Sequence, residues 1–189
     1  MILLILGLVI FIGIHLVPTQ TAMRGDVLAR FGEGAYKAIF SLVSFIGLAL
    51  IIYGFGEARY APSGNPLLWD PPRWTRHVTM TLMLPVFVLL AAAYLPGRIS
   101  SAVKHPMLLS IKLWAFAHLL ISARLANFVL FGALLAWAVY DRISVKRRAV
   151  PIKSGPLRND IIALVIGLLA YVFMLTRGHA WLIGVPLMP

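Results

Sequence analysis

Apolar residues in this chain come in six runs, separated by short polar or proline-rich segments. Five of the runs, Ile2–Val17, Ala38–Phe55, Val78–Leu95, Leu125–Tyr140 and Ile161–Thr176, contain no Asp, Glu, Lys or Arg. The sixth, Pro106–Ser122, is interrupted by Lys112 alone. Such runs cross a bilayer as helices, because hydrocarbon offers the backbone no hydrogen-bond partner and a helix satisfies its own. Sixteen to eighteen residues rise roughly 24–27 Å, so flanking residues complete each crossing. Tyr36, Tyr60, Trp69, Trp74 and Tyr94 stand at the run edges, where aromatic side chains sit at headgroup depth. The pattern predicts an all-α fold, a polytopic transmembrane helix bundle with six spans, forming one domain over residues 1–189.

The connecting segments carry their own signals. Thr21–Gly34 alternates Met23, Val27, Leu28 and Phe31 with Arg24, Asp26, Arg30 and Glu33, as expected of a short helix lying on a membrane face. Gly56–Arg76 holds Pro62, Gly64, Pro66, Pro71 and Pro72 and is expected to be a loop without a long helix. Spans four and five are joined so closely, around Ser122–Arg124, that an antiparallel hairpin is expected. Ser41, Ser44, Gly47, Ile51 and Gly54 give span two a small-residue packing face. The first run lacks a basic n-region and an A-x-A cleavage pattern, so it reads as a retained helix.

Composition agrees with this reading. The 189 residues are 61% hydrophobic and 12% charged, more apolar surface than a soluble globule of this size can hide. A net charge of +11 could suggest a nucleic-acid partner, but the cations lie between the apolar runs, where they set topology and meet lipid headgroups. The lipid bilayer is the expected partner, and nucleic acid is not. The segments after spans one, three and five carry eleven basic residues and the opposite side five. The positive-inside rule then places both termini outside and the Arg142–Arg158 loop in the cytoplasm. The absence of cysteine excludes disulfides and thiolate chemistry.

Candidate chemistry rests on the histidines, since an ionisable group at membrane depth is a functional lead. His118 lies about 18 Å along span four and His15 about 20 Å along span one, depths that agree within the uncertainty of tilt. Two imidazoles on different helices at one depth are what a bis-histidine haem requires. Gly7, Phe11 and His15 recur along one face of span one, with Gly13 nearby, and Trp114 and Ala115 precede His118. Small residues beside aromatic ones are expected to leave room for a flat macrocycle. The competing reading is a histidine that hydrogen-bonds a neighbouring helix. A zinc site from His77, His118 and His179 is a further alternative, without a carboxylate ligand. Lys112 is expected to snorkel to the headgroups or to hold an anionic group such as a haem propionate.

Several separated motifs resemble the NnrU family. They are Leu68-Trp69-Asp70-Pro71-Pro72-Arg73-Trp74-Thr75-Arg76-His77, Ala93-Tyr94-Leu95-Pro96-Gly97-Arg98-Ile99, Lys104-His105-Pro106-Met107-Leu108, Lys112-Leu113-Trp114-Ala115-Phe116-Ala117-His118, Trp137-Ala138-Val139-Tyr140-Asp141-Arg142 and Trp181-Leu182-Ile183-Gly184-Val185-Pro186-Leu187. The resemblance implies a multi-pass bacterial inner-membrane protein linked to nitrite and nitric-oxide metabolism. The superfamily includes the plant ζ-carotene isomerases, haem b enzymes that isomerise a polyene double bond. By that resemblance His118 is an axial-ligand candidate, with His15 as its partner, and a small hydrophobic or nitrogen-oxide molecule is the expected ligand. The chain departs from the isomerases at Ala115, where they carry a cysteine, and at the Ile121-Ser122-Ala123-Arg124 turn. A haem-free accessory factor for denitrification enzymes is the alternative function. A transporter is disfavoured by the absence of an inverted repeat.

Overall fold

A computed structural model describes residues 1–61 and 64–188; Pro62 of the expected loop lies outside the described residues. Helices dominate, and the described residues contain no β-strand beyond an isolated antiparallel bridge between Leu67 and Arg124. The chain divides into two compact units, Met1–Pro71 with Ser122–Arg148, and Pro72–Ile121 with Ala149–Pro189.

The first unit is built from three helices. Helix α1 (Ile2–Leu16) ends in a 3₁₀ turn, Val17–Thr19, where Pro18 fits the first helical positions. Helix α2 (Thr21–Tyr60) is broken at Gly32, whose φ of 77° and ψ of 166° are open only to glycine. The amphipathic arm expected from the sequence therefore exists as the part of α2 before this break. Beyond it the helix runs to Tyr60, five residues past the apolar run. Helix α1 packs along α2 through glycine: a Cβ on Gly7 would stand 2.6 Å from the Ile51 amide nitrogen, and one on Gly47 would stand 2.8 Å from that of Phe11. Close backbone approach of this kind is how helices associate where lipid removes the hydrophobic driving force. Helix α6 (Leu125–Arg147) packs on both.

The loop before α6 is held by Asn65, 1% exposed. Its Oδ1 accepts from the Ala126 amide at 2.8 Å, and its carbonyl accepts from the Arg124 guanidinium at 3.0 Å. The Leu68 amide donates to the Ala123 carbonyl and the Leu125 amide to the Pro66 carbonyl. A residue sixty positions away in sequence thus caps the start of α6, the service normally given by a local Ser or Asp.

The second unit is organised around α3 (Thr75–Tyr94), which runs unbroken through Pro85. Helices α5 (Pro106–Ile121) and α7 (Leu157–Phe173) pack against it. A short helix that the hydrophobic pattern did not foretell, α4 (Arg98–Val103), ends at Lys104 with positive φ. After α7 come a π-helical turn, Met174–Gly178, and α8 (His179–Ile183). The Arg76 guanidinium holds the C-terminal segment by donating to the Leu187 carbonyl.

Five helical stretches are long and apolar enough to cross a membrane: Ile2–Thr19, Thr21–Tyr60, Thr75–Tyr94, Leu125–Arg147 and Leu157–Ile183. The sixth expected span is the shorter α5, sixteen residues. At about 24 Å it falls short of the roughly 30 Å hydrocarbon core. Large apolar side chains point outward, Phe45 at 69% and Leu169 at 66% exposure, while Gly47 and Gly167 are buried. Lipid is the solvent this surface suits. The expected hairpin of spans four and five falls at the passage between units. Within its own unit α5 is partnered by α3, and α6 by α1 and α2.

Candidate functional site

His15 sits near the end of α1 in the first unit. Its Nδ1 lies 2.7 Å from the Phe11 carbonyl, and since a carbonyl only accepts, Nδ1 carries the proton and Nε2 the lone pair. Three aromatic rings surround the imidazole. Phe11 lies 4.2 Å away between centroids, Phe40 of α2 5.1 Å edge-on, and Trp137 of α6 5.4 Å edge-on. Each helix of the unit contributes one wall.

Around this box, polar atoms stand without partners. The indole N–H of Trp137, the hydroxyl of Tyr36 and the hydroxyl of Ser44 are sealed from solvent and make no hydrogen bond among the described residues. Tyr36, Phe40 and Ser44 are spaced i, i+4, i+8 on α2, so they share a face. The Tyr36 ring packs on Phe40 and also carries the Arg24 guanidinium at 5.9 Å. One turn beyond Trp137, the Asp141 carboxylate lies 3.5 Å from Arg148, whose Nε donates to the Ser144 hydroxyl at 3.1 Å. Trp137, Tyr36 and Ser44 thus depart from the pairing usual of buried polar groups.

The small residues of span one act differently from expectation. Gly7 is consumed by the close contact with α2. Gly13 is about 200° around the helix from His15 and lines an apolar groove of about 440 Å³ with Ile12, Leu16, Val129 and Ala133. Neither widens the space beside the imidazole.

His118 belongs to α5 in the second unit. Its Nδ1 lies 2.8 Å from the Trp114 carbonyl, and the Trp114 ring is 5.3 Å away. The same argument places its lone pair on Nε2. The preceding carbonyl, of Ala117, accepts from the Thr79 hydroxyl of α3 at 3.0 Å, which fixes this turn. Ala115 is fully buried, so it fills packing space as well. His77 is exposed in the first turn of α3, and the Nδ1–H of His179 donates to the Val185 carbonyl at 2.7 Å. His105 stands before α5, where its carbonyl accepts from the Leu109 amide. No group of three or more His, Cys, Asp or Glu among the described residues is placed to hold a metal ion, so the three-histidine zinc alternative gains nothing.

A family model for the NnrU protein matches residues 3–187. The chain belongs to the NnrU family. Neither the curated proteins nor the solved structures contain a match. The match spans both units of this NnrU chain, and the helices make it a membrane protein.

Sequence reasoning passed over two buried polar residues of the NnrU chain, Asn65 and Asp160. Asp160, 7% exposed, accepts from the Arg98 and Ile99 amides at 2.8 and 2.9 Å and so caps α4. Asn159 donates from Nδ2 to the Pro96 carbonyl at 2.7 Å. A usable signal was the Asn-Asp pair opening an apolar run, together with a Pro-Gly turn that needs a cap. Tyr36, Ser44 and Trp137 were visible as an edge aromatic, a packing serine and part of a motif, and only the fold brings them to His15.

Proposed function

We propose that this NnrU protein binds haem b, with His15 and His118 as the candidate axial ligands, and serves a redox role on a small nitrogen-oxide or hydrophobic molecule. One observation carries the reading. Both intramembrane imidazoles commit Nδ1–H to the carbonyl four residues earlier, which fixes the tautomer that presents Nε2 to a metal. The donor chemistry therefore fits the group. When bound, a haem supplies one-electron chemistry. The chain's own residues orient the imidazoles through the Phe11 and Trp114 carbonyls, exclude water with Phe11, Phe40 and Trp137, and offer the Trp137 indole and Tyr36 hydroxyl as donors to an accepting ligand. An isomerase mechanism that relies on a cysteine is not carried over, because Ala115 stands in its place. The topology belonging to this reading has both termini periplasmic in the inner membrane, from the eleven-to-five distribution of basic residues.

The decisive measurement is the absorption spectrum of detergent-purified protein expressed with haem supply. A Soret band that His118→Ala or His15→Ala abolishes or converts to high spin supports the assignment. No Soret band in the wild type overturns it and leaves the haem-free accessory role. A low-spin spectrum unchanged in both variants rejects these two ligands. A periplasmic reporter active at the Val150 loop would overturn the orientation.

A further inference from the structure

We propose that the C-terminal end of α6 is a binding site for an anionic phospholipid, best filled by a lipid with two phosphates. Arg142, Ile143, Lys146 and Arg147 line a hollow of about 550 Å³. Their i, i+1, i+4, i+5 spacing gathers them on one stripe of the helix. Asp141 is the one acidic residue of α6, and its carboxylate lies 3.5 Å from Arg148. Three cations and no carboxylate thus line the hollow. Arginine forks and a lysine amine match phosphate oxygens.

The apolar side of the stripe selects a lipid over a soluble anion. Ile143 is 47% exposed, and Val139 and Tyr140, one turn back toward the apolar run, are each 45% exposed. A phosphate seated on the cations would place its acyl chains along this ladder, since it continues into the span. Topology alone requires positive charge near this membrane face. It does not require three cations lining one hollow together with the exposed Ile143, one turn from the exposed Val139 and Tyr140. Cations in the last turn also complement the helix dipole, but Arg142 lies more than a turn from the helix end at Arg147.

The test is native mass spectrometry of the detergent-purified full chain with cardiolipin, phosphatidylglycerol, phosphatidylcholine or inorganic pyrophosphate. The variant R142Q/K146Q/R147Q is compared with R30Q/K153Q/R158Q, which removes the same charge elsewhere. The expected order of retention is cardiolipin, phosphatidylglycerol, then phosphatidylcholine. Cardiolipin affinity should fall about tenfold or more in the first variant and little in the second. Ile143→Asn should weaken cardiolipin without affecting pyrophosphate. Equal losses in the two triple variants would overturn the site in favour of diffuse charge, and full competition by pyrophosphate would show a soluble-anion site. Should the triple variant not fold, the three single variants must each lower cardiolipin affinity severalfold, or the proposal fails.

Discussion

The two units differ in how fully their buried polar groups are satisfied. In the second unit, side chains reach across to backbone carbonyls: Thr79 to Ala117, Ser110 to Val86, Ser100 to Ala92 and Tyr171 to Met80. Asp160 adds two accepted amides. Close backbone approach at glycine occurs in both units, at Gly7 and Gly47 between α1 and α2 and at Gly167 against Val88 of α3. All five buried side-chain atoms without a partner among the described residues, on Tyr36, Ser44, Asn65, Trp69 and Trp137, lie in the first unit. An unmade buried hydrogen bond costs more than a made one gains. Trp137 touches the His15 ring, and Tyr36 and Ser44 lie one turn either side of Phe40, whereas no such atom falls among the described residues of the second unit.

Asp160→Ala should deal the largest blow to the second unit. It leaves two amides of α4 without an acceptor, a loss of about 3 kcal/mol, while Asp160→Asn should lose about half of that. Thermal unfolding in detergent measures both. If the two variants match wild type, the second unit does not depend on its polar bonds and the contrast collapses.

Gly7→Leu is the corresponding strike at the first unit. The added side chain meets backbone of α2, which cannot rotate aside, so a loss of about 2 kcal/mol is expected from overpacking. Gly13→Leu, facing the open groove, should be tolerated. Equal losses at the two positions would mean that backbone approach is not what joins α1 to α2.

Smaller changes sharpen the contrast by sign. Thr79→Val and Ser110→Ala each remove a made interhelical bond and should cost about 0.6–1 kcal/mol. Trp137→Phe removes a donor without a partner among the described residues, so stability should hold or rise slightly while the Soret band shifts if haem is bound. A loss equal to that of Thr79→Val would show the indole N–H to be already satisfied by the protein.

The smallest effect lies on the surface arm and its junction. The exposed Lys37 amine bonds Glu33 at 2.7 Å and holds the Glu33 carboxyl below its usual range. Since the folded value is depressed, the contribution is present above the ordinary carboxylate range and lost as pH falls through the lowered value. Lys37→Gln should return the Glu33 titration to the ordinary range, measured by carboxyl chemical shift, with almost no change in stability because the pair is solvated.

Membrane class and the positions of the five long apolar helices were legible in local order. Charge and hydropathy act residue by residue against a solvent that tolerates no unpaired backbone, so runs such as Val78–Leu95 announce themselves. The same local reading took Gly13 as room beside His15, since adjacency along a chain does not state which way a helix face turns. It missed Asn65 capping α6 and Asp160 capping α4, because those bonds join segments about sixty residues apart. The ring of Phe11, Phe40 and Trp137 around His15 was likewise decided by tertiary structure alone, since it needs three helices packed in one register, which between α1 and α2 follows from where glycines let backbones approach.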